Sequence, residues 1–176
     1  MALTQVAGGM LAGSITSSQI TSVAASTLTG TQTIPKSTLP TGSVLQVVNA
    51  TFTSTTSTTS STYATTGYSA SITPSSASNK IYIVFNCCLR PNSSANTQLT
   101  LYRGATNLEP TANRGFIQDG PNNTDRNQSL MYLDSPATTS STTYTIYMRS
   151  ENNSSISYIC IDGGPPTTIQ LMEISA

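Results

Sequence analysis

From Ile81 to Arg90 the chain alternates strictly, with Ile81, Ile83, Phe85, Cys87 and Leu89 at one set of positions and Tyr82, Val84, Asn86, Cys88 and Arg90 at the other. A period of two sends successive side chains to opposite sides of the backbone, so this segment predicts a strand with one strongly apolar face and one mixed face. The pattern returns at Leu99/Leu101, at Tyr144/Ile146/Met148, at Ile156/Tyr158/Cys160 and in the closing TIQLMEI. Clusters rich in Pro, Gly, Asn, Asp and Ser separate the runs at 74–79, 91–96, 134–141, 151–155 and 162–166, where turn chemistry is expected. About eight such strands with almost no helical periodicity predict an all-β chain, an antiparallel two-sheet jelly-roll β-sandwich. Another sandwich, immunoglobulin-like for instance, is the alternative. The buried faces should carry Ile81, Ile83, Phe85, Leu99, Leu101, Ile146 and Ile169.

Composition bears on whether such a chain folds at all. Ser and Thr supply 58 of the 176 residues, yet charged residues are only 8% and the formal net charge is zero. Disordered chains usually combine low hydrophobicity with high net charge, so folding is expected here. The Ser/Thr tract after Val48 is interrupted by Tyr63, Tyr68 and Ile72, which favours β structure over a linker. The cations Lys36, Lys80, Arg90, Arg103, Arg114, Arg126 and Arg149 are dispersed singly. That pattern excludes the clustered basic surface of a nucleic-acid binder and the basic amphipathic face of a peripheral membrane protein. No stretch approaches the roughly 20 apolar residues of a membrane-spanning helix, and MALTQVAGGMLAGSITSS lacks the charged start and sustained apolar run of a secretory signal. Synthesis in a cytosol, without membrane insertion, is the expectation.

The same residues argue against catalysis. With no His in the chain, neither a Ser-His-Asp nor a Cys-His arrangement can form within it. No nucleotide-binding fingerprint is present, so no catalytic residue and no cofactor is expected. Paired carboxylates could hydrolyse a glycan, with Asp119, Asp125 and Asp134 as the residues to watch. Cys87 and Cys88 should point to opposite faces of one strand, and with Cys160 they make an odd count that suits buried thiols, or one disulfide from Cys160 to the pair, better than a disulfide framework. No metal site is expected from these ligand types.

The chain changes character at Gly42, which divides it into residues 1–41, an N-terminal arm, and residues 42–176, the sandwich head. The arm spaces Leu11, Ile15, Ile20, Val23, Leu28, Ile34 and Leu39 three to six positions apart among Ala, Gly, Ser and Thr. It reads either as a flexible linker or as a segment ordered against a larger body on assembly. Residues 31–40, with two prolines, should be extended.

The longest stretch predicted to be irregular runs from Gly104 to Asn127. Long loops without regular structure are often functional. Arg114, Phe116, Asp119, Asn122, Asp125 and Arg126 in this stretch could stack on sugar rings and hydrogen-bond hydroxyls, so they form the candidate receptor-facing loop, with a subunit contact as the alternative. DGPNNTD at 119–125 is oxygen-rich but lacks the spacing of an EF-hand.

Residues 40–176 also carry a resemblance. GSVLQVVNATF opening the head, TGYSASITPSSASNKIYIVF after the Ser/Thr tract, and TTIQLMEI at the close resemble the C-terminal module of bacteriophage fibres, marine phage tail fibres in particular, whose jelly roll is similar in shape to C1q and TNF heads. The resemblance implies a homotrimer and a virion structural protein made in the host cytoplasm, a short fibre or spike. Its head would be exposed for recognition of a host-surface glycan or protein, and its arm would hold other virion proteins. Long tail fibres place a large attachment domain and shaft where this chain has about 41 residues. A capsid or tail decoration protein without a receptor therefore stands as the alternative, and a surface-polysaccharide hydrolase as a lesser one. A homotrimer would also relieve a modest core, since 36% hydrophobic content, much of it Ala, gives one subunit little to bury.

Overall fold

The computed structural model describes residues 35–91, 94–109, 114–121, 123–152, 156–159 and 164–176. Eleven strands follow in order: β1 (Val44–Phe52), β2 (Thr56–Thr58), β3 (Ala64–Ile72), β4 (Lys80–Arg90), β5 (Thr97–Arg103), β6 (Thr106–Asn107), β7 (Ile117–Asp119), β8 (Arg126–Asp134), β9 (Thr142–Ser150), β10 (Ser157–Ile159) and β11 (Thr167–Ile174). Among the described residues the only helical piece is a single 3-10 turn, Lys36–Thr38.

These strands lie in eight rows, because three rows are broken in two. β11 and then β10 pair along the same edge of β4, and β1 and β2 pair with β11 and β10 respectively. In the same way β7 and β6 flank one edge of β5. Sheet A is therefore β1/β2, β11/β10, β4 and β8, and sheet B is β3, β9, β5 and β6/β7, all antiparallel. Counted along the chain, the first row pairs with the eighth, the second with the seventh, the third with the sixth and the fourth with the fifth. That nesting is a long hairpin folded over into two sheets, the jelly roll expected from the alternation.

The core lies between the sheets. Ile81, Ile83, Phe85, Leu99, Leu101, Ile146 and Ile169 are all fully buried, as predicted, and are joined by Ile72, Leu89, Tyr144, Met148, Ile159 and Leu171. Each such side chain contributes about 1.5–3 kcal/mol by leaving water. Cys87 belongs to this core, and Cys88, on the other side of the strand, is buried as well. Cys160 lies outside the described residues.

The Ser/Thr tract folds because its few apolar residues fall inward. Tyr68, Ala70 and Ile72 of β3 are buried while Ser71 and its cross-strand partner Thr143 share a 2.7 Å hydroxyl contact on the outside. A bulge between Thr65 and Ser69 sets this phase. Gly67 takes the positive φ of +79° that the bulge requires. The buried Thr66 hydroxyl donates to the Ile146 carbonyl at 2.7 Å and accepts from the Tyr68 amide, replacing lost ladder bonds.

Two sequence expectations need correction. Gly104–Asn127 is not one irregular stretch, for β6 and β7 within it supply the fifth row and β8 begins at Arg126. Strands of two and three residues, Thr106–Asn107 and Ile117–Asp119, are too short to carry a readable period. Second, 31–40 is not extended throughout. Pro35 fixes a turn in which the Thr38 amide and hydroxyl both donate to its carbonyl, at 2.9 and 2.7 Å. Glu173 occupies an inward position of β11 and is fully buried. Four neutral donors hold it: Gln46 Nε2 at 2.7 Å, the Ser75 amide at 2.6 Å, Ser75 Oγ at 2.7 Å and Asn79 Nδ2 at 2.7 Å. Residues Leu39–Ala176 make one compact unit. Most of the arm, residues 1–34, lies outside the described residues.

Candidate functional site

Of the residues of the predicted receptor-facing loop, the structure brings Asp119 and Arg126 together and gives Asp125 and Phe116 partners outside the set. Asp119 is buried on β7 and receives Arg126 Nη1 at 3.0 Å and Gln128 Nε2 at 3.4 Å, a tie from sheet A to sheet B. Asp125 is gripped by Arg90 through two hydrogen bonds, from Nε at 2.5 Å and Nη2 at 2.7 Å. Those bonds hold the Asp125 carboxyl below its usual range, though both partners are well exposed and such pairs add little stability. Phe116 packs edge-on against Tyr132 with centroids 5.2 Å apart, half-buried over the core. Arg114 is exposed, and Asn122 lies outside the described residues.

The carboxylates considered for glycan hydrolysis are each engaged by a different arginine. Asp134, the third, accepts Arg103 Nη1 at 2.8 Å on both oxygens and the Tyr144 hydroxyl at 2.7 Å. Burial first, and the bond to Asp134 second, push the Tyr144 hydroxyl well above the usual tyrosine range. Arg103 and Tyr144 lie on sheet B and Asp134 on sheet A, so this cluster is a second inter-sheet tie. Among the described residues no group of three His, Cys, Asp or Glu is placed to hold a metal.

Two outer faces carry more information than the loop. On sheet A, Val47 opposes Met172, Met172 opposes Tyr82, and Tyr82 opposes Leu133, so one apolar row crosses all four strands. Beside it, Val44 opposes Ile174 on one flank and Val84 opposes Met131 on the other. Val44, Val47, Met131 and Leu133 are 51%, 58%, 64% and 49% exposed, which makes them four of the five large hydrophobic residues open to solvent among the described residues. The two cations of this face, Lys80 and Arg90, stand at opposite ends of β4, and its paired positions hold no acid.

Sheet B presents a different surface. Tyr102 and Tyr147 stack across β5 and β9 with centroids 3.9 Å apart. One row along, Arg149 lies 4.9 Å over the Tyr63 ring and its Nε donates to Gln98 Oε1 at 2.6 Å. Beneath these side chains the outward-pointing Gln98 and Thr100 of β5 are buried. At the sheet edge the Leu108 amide donates to the Leu101 carbonyl and the Phe116 amide to the Leu99 carbonyl. Gly115 lies against Tyr63, where a Cβ would stand 2.8 Å from the Tyr63 hydroxyl and 2.2 Å from the Leu99 carbonyl oxygen. That hydroxyl is buried. Burial raises its pKa, opposed by the charge of Arg149. Thr65, Ser69, Ser71, Thr143 and Thr145 line the remaining rows with hydroxyls. Sequence reasoning missed this face. Tyr63 was visible as an interruption of the Ser/Thr tract, but its neighbours Gln98 and Arg149 are far from it along the chain.

No family model matches the chain, and a search of curated proteins finds no match. Among solved structures the chain is similar to the protein in the crystal structure of the infectious bursal disease virus VP2 subviral particle, at 12% identity and a TM-score of 0.38, over 74% of this chain and 37% of that one.

Proposed function

We propose that the protein is a structural component of a phage virion, a short fibre or spike whose jelly-roll heads associate as a homotrimer and are exposed for recognition of the host surface. The observation that carries this reading is the apolar row Val47, Met172, Tyr82 and Leu133 on the outside of sheet A. A contiguous apolar face of this kind on a soluble domain marks a surface to be covered. Because its paired positions hold no acid and its cations lie at the ends of β4, three copies of this face can converge on one axis without charge conflict. Closed three-fold symmetry then buries the patch, each copy meeting its neighbours through unlike parts of it. The resemblance of residues 40–176 to phage fibre modules supports the same reading and suggests three copies. In that arrangement sheet B and the loops point outward, the arm binds other virion proteins, and no reaction is assigned.

Sedimentation of the full chain at micromolar concentration tests it. The expected species is three times the 18.4 kDa chain mass, and Leu133→Glu or Met131→Glu should shift it toward monomer while the circular dichroism spectrum stays β-rich. Wild-type protein sedimenting as a monomer, or these variants sedimenting unchanged, would overturn the reading.

A further inference from the structure

We infer that the outer face of sheet B binds a hexopyranose unit of a host-surface glycan, seated on the Tyr102/Tyr147 stack between the guanidinium of Arg149 and the hydroxyl rows of β3 and β9. The inference rests on the reading of the head as an exposed recognition module, and it names the ligand class and the place.

Three features of this face fit that ligand. A pyranose has one face of C–H groups and a rim of hydroxyls, so it needs an aromatic surface with hydroxyl-compatible partners beside it. The π face of a tyrosine is electron-rich and receives polarised C–H groups favourably; Tyr102 and Tyr147 cover one another's inner faces, and both remain partly exposed. Next to them Ser69 opposes Thr145 and Thr65 opposes Tyr147. Each of these hydroxyls both donates and accepts, as a sugar hydroxyl does.

Rigidity is the second feature. Arg149 is held at Nε by Gln98 and lies over the Tyr63 ring, and Gln98 and Thr100 are buried in the sheet beside it. Thr100 Oγ1 also donates to Asn107 Oδ1 at 2.7 Å, which fixes the opposite edge. A site whose side chains are already ordered loses less entropy on binding a weakly held ligand. Charge is the third feature. With Arg149 as the one cation at its outward paired positions, the acid Glu109 near Tyr63 and hydroxyls elsewhere, the face suits a polyhydroxylated ligand and lacks the basic cluster that nucleic acid requires. A protein partner is better served by the apolar face of sheet A, since the neighbours of the tyrosines on sheet B are polar, with Thr145 and Asn107 opposite Tyr102 and Thr65 opposite Tyr147.

Saturation-transfer NMR on the full chain tests this with four probes at millimolar concentration: the methyl α-pyranosides of glucose, galactose and mannose, and N-acetylglucosamine. Saturation should reach the ring protons of at least one. Tyr102→Ala and Tyr147→Ala should each reduce that transfer at least tenfold, whereas Tyr82→Ala on sheet A should leave it unchanged. Where an alanine variant loses its fold, Thr145→Val, which keeps shape and removes one hydroxyl, should still weaken transfer, and Tyr147→Phe should retain most of it. No transfer to any of the four sugars, transfer indifferent to Tyr102, Tyr147 and Thr145, or transfer lost only in Tyr82→Ala would each overturn the assignment. Sedimentation of the same samples separates the two proposals. A trimer that binds no sugar refutes this site alone, and a sugar-binding monomer refutes the assembly alone.

Discussion

The side-chain amide of Asn79 donates to the buried carboxylate of Glu173 at 2.7 Å, fastening the turn before β4 to the last strand of the sheet. Burial works against the charge on Glu173, but the bonds from Asn79, Ser75 and Gln46 outweigh it and hold the carboxyl below its ordinary range. A depressed carboxylate pKa adds stability that is present above the ordinary glutamate value and lost as pH falls through the folded-state value. Thermal denaturation from pH 7 downward should therefore show Tm falling below about pH 4.5. Glu173→Gln should cost about 2 kcal/mol at neutral pH and flatten that acid limb.

At the alkaline end the sign reverses. Tyr144 is fully buried against Asp134, and its hydroxyl pKa is raised. Its contribution is complete below the unfolded tyrosine value of about 10 and is lost as pH rises above it. Urea midpoints between pH 9 and 11 should decline in the wild type, with a shallower decline in Tyr144→Phe.

The Arg103–Asp134 pair joins the sheets with Asp134 nearly inaccessible and Arg103 partly open to water. Asp134→Ala should destabilise by about 2–3 kcal/mol, less than a fully buried pair because the stranded guanidinium can rehydrate. Chemical denaturation of this variant and of Arg103→Ala measures it, and the double variant should cost less than the two single losses added.

Two glycines with positive φ separate backbone strain from steric conflict. Gly104, at φ +56°, has open space where a Cβ would sit, whereas Gly115, at φ +69°, would drive one to within 2.2 Å of the Leu99 carbonyl oxygen. Gly104→Ala should cost about 1 kcal/mol, and Gly115→Ala roughly 2–4 kcal/mol. Loss of amide protection at Phe116 in the second variant alone would show that the segment has lifted from β5.

Core truncation provides the reference scale. Phe85→Ala should cost about 3–5 kcal/mol and Ile146→Ala about 2–5 kcal/mol, read from urea midpoints at unchanged slope.

The strands that could be read in advance were those whose inward positions are all apolar. Ile81 through Leu89 and Ile146 with Met148 announce their faces because each alternate residue enters the core. β11 kept the period but hid Glu173, since the donors that make an acid tolerable there come from Gln46, Ser75 and Asn79, in other elements. β6 and β7 are two and three residues long, too short for any period, and owe their place to the edge of β5. The tyrosine surface escaped for a related reason. Tyr63, Tyr102 and Tyr147 look like scattered aromatics until the pairing of β3, β9 and β5 brings them together.

The nesting of the eight rows fixes when the molecule can become itself. β11 lies between β1 and β4, so sheet A cannot close until residues Thr167–Ile174 have left the ribosome, and contacts of such long sequence separation form late and slowly. Met172 of that strand bridges Val47 to Tyr82. A chain cut short before Thr167 therefore has a gap in its apolar row as well as in its sheet. The apolar surface of sheet A therefore exists only in a chain that extends through Ile174.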